Sequence, residues 1–97
     1  MRSIDLIKNS SPCYHNDKEV ALMIDPVLVG SVIRGLREKK GKTQEVVSGL
    51  AGLDRTHYSK IERGLRSPTL DTLFRIAQAL DMKPHELLLE IEKALEA

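Results

Sequence analysis

Ninety-seven residues with a mass of 10.9 kDa, 41% of them hydrophobic, leave room for one domain with a modest core. Six glycines and four prolines exclude a low-complexity chain, the apolar runs are far too short for a membrane span, and the lone Cys13 cannot form a disulfide within the chain. The formal net charge of +1 hides a partition: residues 1–26 carry three basic and four acidic residues (−1), residues 27–66 nine and four (+5), and residues 67–97 three and six (−3).

A basic middle joined to an acidic end points to a polyanionic partner for one face. Aromatic residues are only 3% of the chain, which argues against a stacking platform for single-stranded nucleic acid. No signal-peptide pattern opens the chain, and a cytoplasmic location is expected.

Residues 1–26 read as an extension or arm. Ile4-Asp5-Leu6 and Val20-Ala21-Leu22-Met23-Ile24 are short apolar pieces around a polar stretch. Two short strands, a flexible arm and a small packed extension all fit that pattern. Asp25-Pro26 is a helix-start signal, an acceptor followed by proline at the first helical position. Val29, Val32, Ile33 and Leu36 then follow the i, i+3, i+4, i+7 rule of an amphipathic helix that ends near Gly41. Thr43 caps a second helix, Gln44 to Ala51, with Val46, Val47, Leu50 and Ala51 as its expected core face, and Gly52 supplies a turn. Asp54 caps a third helix that reaches about Arg63 before Gly64 stops it. Ser67-Pro68-Thr69 opens a fourth, with Leu70, Leu73, Phe74, Ala77 and Leu80 on its expected core side. The fifth begins at Pro84 and gathers Leu87, Leu88, Ile91 and Leu95. No strand signal follows residue 26, so the expectation is an all-α domain of five helices over residues 27–97.

The second and third helices, about 43–51 and 54–63, meet across a short turn containing Gly52. This spacing is that of a helix-turn-helix, whose second helix enters the major groove of DNA. On a helical wheel Arg55, Thr56, Ser59, Lys60 and Arg63 fall within roughly 140° of one another. Tyr58, Ile61 and Leu65 fall opposite, suited to a core. A solvated face usually mixes in acidic residues, and this arc holds none. Glu62 lies between the two sides.

The run Thr43-Gln44-Glu45-Val46-Val47, then Ala51-Gly52-Leu53-Asp54-Arg55-Thr56, then Ser59-Lys60-Ile61-Glu62-Arg63-Gly64 resembles the Cro/phage-repressor-like, xenobiotic-response-element (Xre) family of helix-turn-helix DNA-binding proteins. Arg66-Ser67-Pro68-Thr69-Leu70-Asp71-Thr72-Leu73 and Ile76-Ala77-Gln78-Ala79-Leu80 continue the pattern. The resemblance covers about residues 28–90, and residues 1–26 have no counterpart in it. Within the family, Leu53-Asp54-Arg55-Thr56 with Ser59 and Ile61-Glu62-Arg63 is similar to the small controller proteins of restriction–modification operons.

The resemblance implies a lambda-repressor-like five-helix domain that binds a near-palindromic double-stranded operator as a dimer and regulates transcription, often of its own operon. Carried over residue by residue, it implies that Gln44 touches a backbone phosphate and that Arg55 and Thr56 reach base edges. Arginine suits the O6/N7 edge of guanine and the threonine methyl suits a thymine methyl. Ser59 and Lys60 lie one turn further along, and Arg63 and Arg66 are expected on phosphates. Thr43 and His57 complete the candidate DNA-contacting set. Arg37 and Glu62 match the family's partly buried ion pair and are expected to be structural. Leu89 points away from the core stripe of the last helix, 84–96, and is the expected dimer contact.

Departures from the family pattern include Ser48 for alanine, Gly49 in mid-helix, Val46 where Thr43 would find a capping-box partner, Tyr58 with a hydroxyl to satisfy, and Lys83 in place of a good cap before Pro84. Xre-type domains also occur in antitoxins, and residues 1–26 are the segment that would bind a toxin partner. No cofactor is expected and no enzyme activity: Cys13, His15 and Asp17 lack the four ligands of a structural zinc site, and no phosphate loop or nucleophile motif is present.

Overall fold

Four of the five helices begin where a side chain accepts from the otherwise free N–H groups of a first turn. The computed structural model describes residues 24–96. Helix α1 spans Pro26–Lys39, α2 Gln44–Ala51, α3 Arg55–Glu62, α4 Leu70–Ala79 and α5 Pro84–Glu96. Asp25 accepts from Val27 N at 2.9 Å, Thr43 from Val46 N at 3.1 Å, Asp54 from Thr56 N at 3.2 Å and Thr69 from Thr72 N at 3.1 Å. Lys83 has no acceptor to offer α5. Instead Glu86 reaches back and accepts from Lys83 N at 2.9 Å, the second half of a capping box working without the first. No strand occurs among the described residues. Most of the arm, with the apolar pieces at 4–6 and 20–23 and the group Cys13, His15, Asp17, lies outside them.

The helices close into a ring of contacts: α1 packs on α3 and α5, α2 packs on α3 and α4, and α4 packs on α5. Val29 and Ile33 of α1, Val47 and Ala51 of α2, and Tyr58 and Ile61 of α3 are buried at its centre. Leu73, Ile76, Ala77 and Ala79 of α4, its C-cap Leu80, and Leu87 and Ile91 of α5 complete the core. Gly30 marks the tightest approach, because a Cβ there would collide with the backbone carbonyls of Ile61 and Glu62. Helix α1 therefore lies directly over the C-terminal end of α3.

Several residues expected in the core are outside it. Val46 and Leu50 of α2 are exposed, Leu50 by 63%, and so are Leu70 and Phe74 of α4, Leu65, and Leu88 and Leu95 of α5. Each short helix is covered along one stripe only. In α2 the stripe is Val47 with Ala51, and Ser48 rather than Val46 flanks it, its hydroxyl donating to Glu45 O at 3.1 Å. In α4 it is Leu73, Ile76, Ala77 and Leu80, so Ile76 takes the place expected of Phe74.

Candidate nucleic-acid interface

Tyr58 and Ile61 are fully buried, and this fixes the rotation of α3 about its axis. The arc opposite them must then face outward. Gly52 adopts a left-handed conformation (φ +70°) at the end of α2, and Leu53 N donates to Ser48 O at 2.9 Å, which closes the turn. Leu53 packs against the core, and Asp54 caps the next residues into α3. The turn thus sets the start of α3 beside the start of α2.

Five of the nine residues expected to contact DNA come together there. Gln44 from α2 and Arg55, Thr56 and Ser59 from α3, with Arg63 at its C-cap, line one cleft of about 250 Å³. Arg55, Thr56 and Arg63 are exposed, while Gln44 and Ser59 are partly covered. Two guanidinium groups, two hydroxyls and an amide form the wall, and no carboxylate of the described residues lines it. The other four stand apart from the cleft. The Thr43 hydroxyl is occupied as the α2 cap, His57 and Lys60 are partly buried on α3, and Arg66 is exposed beyond the helix end.

Behind the cleft lies a charged network. Arg37 Nε donates to Glu62 Oε2 at 2.7 Å and Arg37 Nη2 to Oε1 at 3.1 Å, a two-pronged pair between α1 and α3. Arg37 Nη1 also donates to Lys42 O at 2.9 Å, in the loop before α2. Glu62 is more deeply placed than its position on the wheel suggests, with a side chain 1% exposed against 12% for Arg37, because α1 covers the end of α3. Burial opposes ionisation of Glu62. The hydrogen bonds from Arg37, joined by that of the Gln44 amide, outweigh it and hold the carboxyl below the usual carboxylate range. The bond to Glu62 in turn raises Arg37 further above its ordinary value.

Two links in this network have no signal in the local sequence. Gln44 Nε2 donates to Glu62 Oε1 at 2.9 Å, joining the cleft wall to the buried pair. Lys42 Nζ reaches Ala79 O and Asp81 Oδ2, each at 3.2 Å, tying the loop before α2 to the end of α4. Tyr58 Oη is enclosed and has no partner of hydrogen-bonding geometry among the described residues; burial, and then the Glu62 carboxylate, push its pKa up. Leu89 is 47% exposed and lines a separate groove of about 570 Å³ with Leu36, Met82, Glu86 and Glu90. Among the described residues no helix is long and apolar enough to cross a membrane.

A family model described as helix-turn-helix matches residues 33–88. An uncharacterised HTH-type transcriptional regulator of Sinorhizobium fredii, y4dJ, is 47% identical over 60 residues, covering 62% of this chain and 78% of its own. Control protein C.BamHI of Bacillus amyloliquefaciens is 38% identical over 63 residues, covering 64% of this chain and 78% of its own. The crystal structure of the restriction–modification controller protein C.AhdI from Aeromonas hydrophila superposes with a TM-score of 0.63 at 42% identity, over 67% of this chain and 98% of that one. The restriction–modification controller protein C.Esp1396I, as a tetramer with its natural 35 base-pair operator, superposes with a TM-score of 0.71 at 31% identity, over 77% and 99%.

Proposed function

The chain belongs to the helix-turn-helix family, in its Xre-like branch, and from that premise we propose a sequence-specific, double-stranded-DNA-binding transcriptional regulator of the controller-protein type. One observation carries this reading: the outward arc of α3 and the start of α2 share a cleft whose wall is cationic and hydrogen-bonding, with no carboxylate among the described residues. A polyanion is drawn to such a wall, and base edges supply the donors and acceptors that match its side chains. Arg55 and Thr56 read bases from the first turn of α3, with Ser59 and Lys60 behind them. Gln44, Arg63 and Arg66 hold phosphates, and Thr43 and His57 flank the contact.

On this reading residues 27–97 are the DNA-binding domain, and residues 1–26 an appended arm. Helix α5 provides the homodimer contact through Leu89 and the groove it lines. Two copies of α3 then stand about 34 Å apart, one turn of DNA, and bind a near-palindromic operator in the cytoplasm. The matched relatives are transcriptional regulators and controller proteins, which favours a binding module over an enzyme and a regulator over a toxin-binding antitoxin.

Selection of bound duplexes from a random library tests this directly. Two half-sites related by a dyad, with centres about 10 base pairs apart, are expected. A library that yields no preferred duplex sinks the reading.

A further inference from the structure

Gln44 differs from the rest of the cleft wall. Among the described residues it alone of the five lining side chains is hydrogen-bonded to the buried network behind. A carboxylate has no proton to give, so Gln44 must turn its nitrogen, not its carbonyl oxygen, toward Glu62. Glu62 cannot move to accommodate another arrangement. Its Oε2 is held by Arg37 Nε, its Oε1 is shared by Arg37 Nη2 and Gln44 Nε2, and Arg37 is itself anchored to Lys42 O. The bond is charge-assisted and shielded from water, which strengthens it relative to one at the surface.

We propose that Glu62, beyond its place in the ion pair, is a positioning residue for DNA binding: it holds the Gln44 amide in one orientation before DNA arrives, leaving the second N–H of that amide to donate to a backbone phosphate. This rests on the cleft being the DNA-binding surface. A freely turning glutamine would lose its freedom on binding, and for one long side chain that loss corresponds to about 2- to 12-fold in affinity. The buried carboxylate removes that loss in advance.

The chain contains an internal control, since its only other glutamine, Gln78, is exposed on α4. Side-chain amide relaxation by NMR on the free full-length protein is expected to give Gln44 an order parameter near that of rigid backbone, about 0.85, and Gln78 one below about 0.6. A Gln44 amide as mobile as that of Gln78 overturns the proposal.

A thermodynamic cycle supplies the second measurement. Arg37→Met with Glu62→Met removes both buried charges together, a replacement that commonly preserves folding. Affinity for the duplex enriched by the wild-type protein is expected to fall about 2- to 12-fold in this variant, and by nothing further when the same pair is introduced into Gln44→Ala. An equal loss in both backgrounds shows that the network acts through the fold alone and overturns the proposal. If the library yields no preferred duplex, the DNA reading and this inference fall together. A preferred duplex with a mobile Gln44 amide sinks this inference only.

Discussion

Glu62 shows how much one residue can be asked to do in a domain of this size. Its carboxylate joins α1, α2 and α3 through Arg37 and Gln44. Arg37→Ala leaves that charge buried without its partner, and urea unfolding should show a loss of about 3–5 kcal/mol. The effect of pH has a definite sign. Because the folded-state pKa of Glu62 lies below its unfolded value, the unfolded chain takes up the proton first as the solution is acidified. The stability this carboxylate contributes is therefore present above the ordinary glutamate value of about 4.3, and is lost as pH falls through the lower folded value. Thermal melts at pH 7 and pH 3 should show a larger drop for the wild type than for the paired Arg37→Met, Glu62→Met variant. On the DNA side, Arg55→Ala should weaken binding to the selected duplex by about 1–3 kcal/mol and relax preference at one base pair. Arg66→Ala should weaken all duplexes alike and flatten the salt dependence by about 0.9 in slope. Unchanged base preference in Arg55→Ala would remove Arg55 from the readout.

At the scale of elements, the crossing of α1 over α3 makes two glycines of one helix behave oppositely. Intrinsic propensity favours alanine over glycine in a helix by up to about 1 kcal/mol. At Gly35 a Cβ would meet none of the described residues within 4 Å, so Gly35→Ala should stabilise the protein by up to that amount. At Gly30 the Cβ would strike the carbonyls of Ile61 and Glu62, and backbone cannot swing aside as a side-chain tip can. Overpacking of roughly 1–3 kcal/mol or more then outweighs the propensity gain, and Gly30→Ala should destabilise. Denaturant unfolding of both variants checks the sign of each. The apolar faces of α2 and α4 are narrower than their periodicity suggests, because each is covered only where its own neighbours pack, α3 and α4 on α2, and α2 and α5 on α4. A wheel shows which residues share a side, but the neighbouring helix decides how much of that side it covers.

For the whole molecule, the near-neutral total charge conceals a basic motif region, net +5 over residues 27–66, and an acidic remainder, net −3 over residues 67–97. Within the motif region Glu62 is buried and paired and Asp54 serves as a cap, so neither carboxylate lines the cleft. The exposed Leu89 lies instead in the groove lined by Leu36 and Met82, and a second copy is the expected occupant. Leu89→Lys should shift the mass measured by light scattering at micromolar concentration from dimer toward monomer. A wild-type protein already monomeric under those conditions would exclude this dimer. If the dimer is required, the variant should also lose affinity for the two-half-site duplex more than for an isolated half-site.

The sequence alone determined where the helices lie, because caps, prolines and apolar spacing act within a few residues of one another. Asp25, Thr43, Asp54 and Thr69 each open the helix expected of them, and the Thr43–Gly64 run carries the family resemblance. The clustering of Gln44 with Arg55, Thr56, Ser59 and Arg63 was partly legible, since four of the five share one arc of α3 and its cap. Tertiary structure decided the rest: that Ile76 and Ser48 face inward while Phe74, Leu50 and Val46 do not, that Glu62 is buried rather than half-covered, that Gln44 leans on it, and that Lys42 closes the end of α4. These depend on groups 18, 25 or 37 residues apart meeting across helices. Burial depth and hydrogen-bond partnership belong to such meetings, and no local periodicity encodes them.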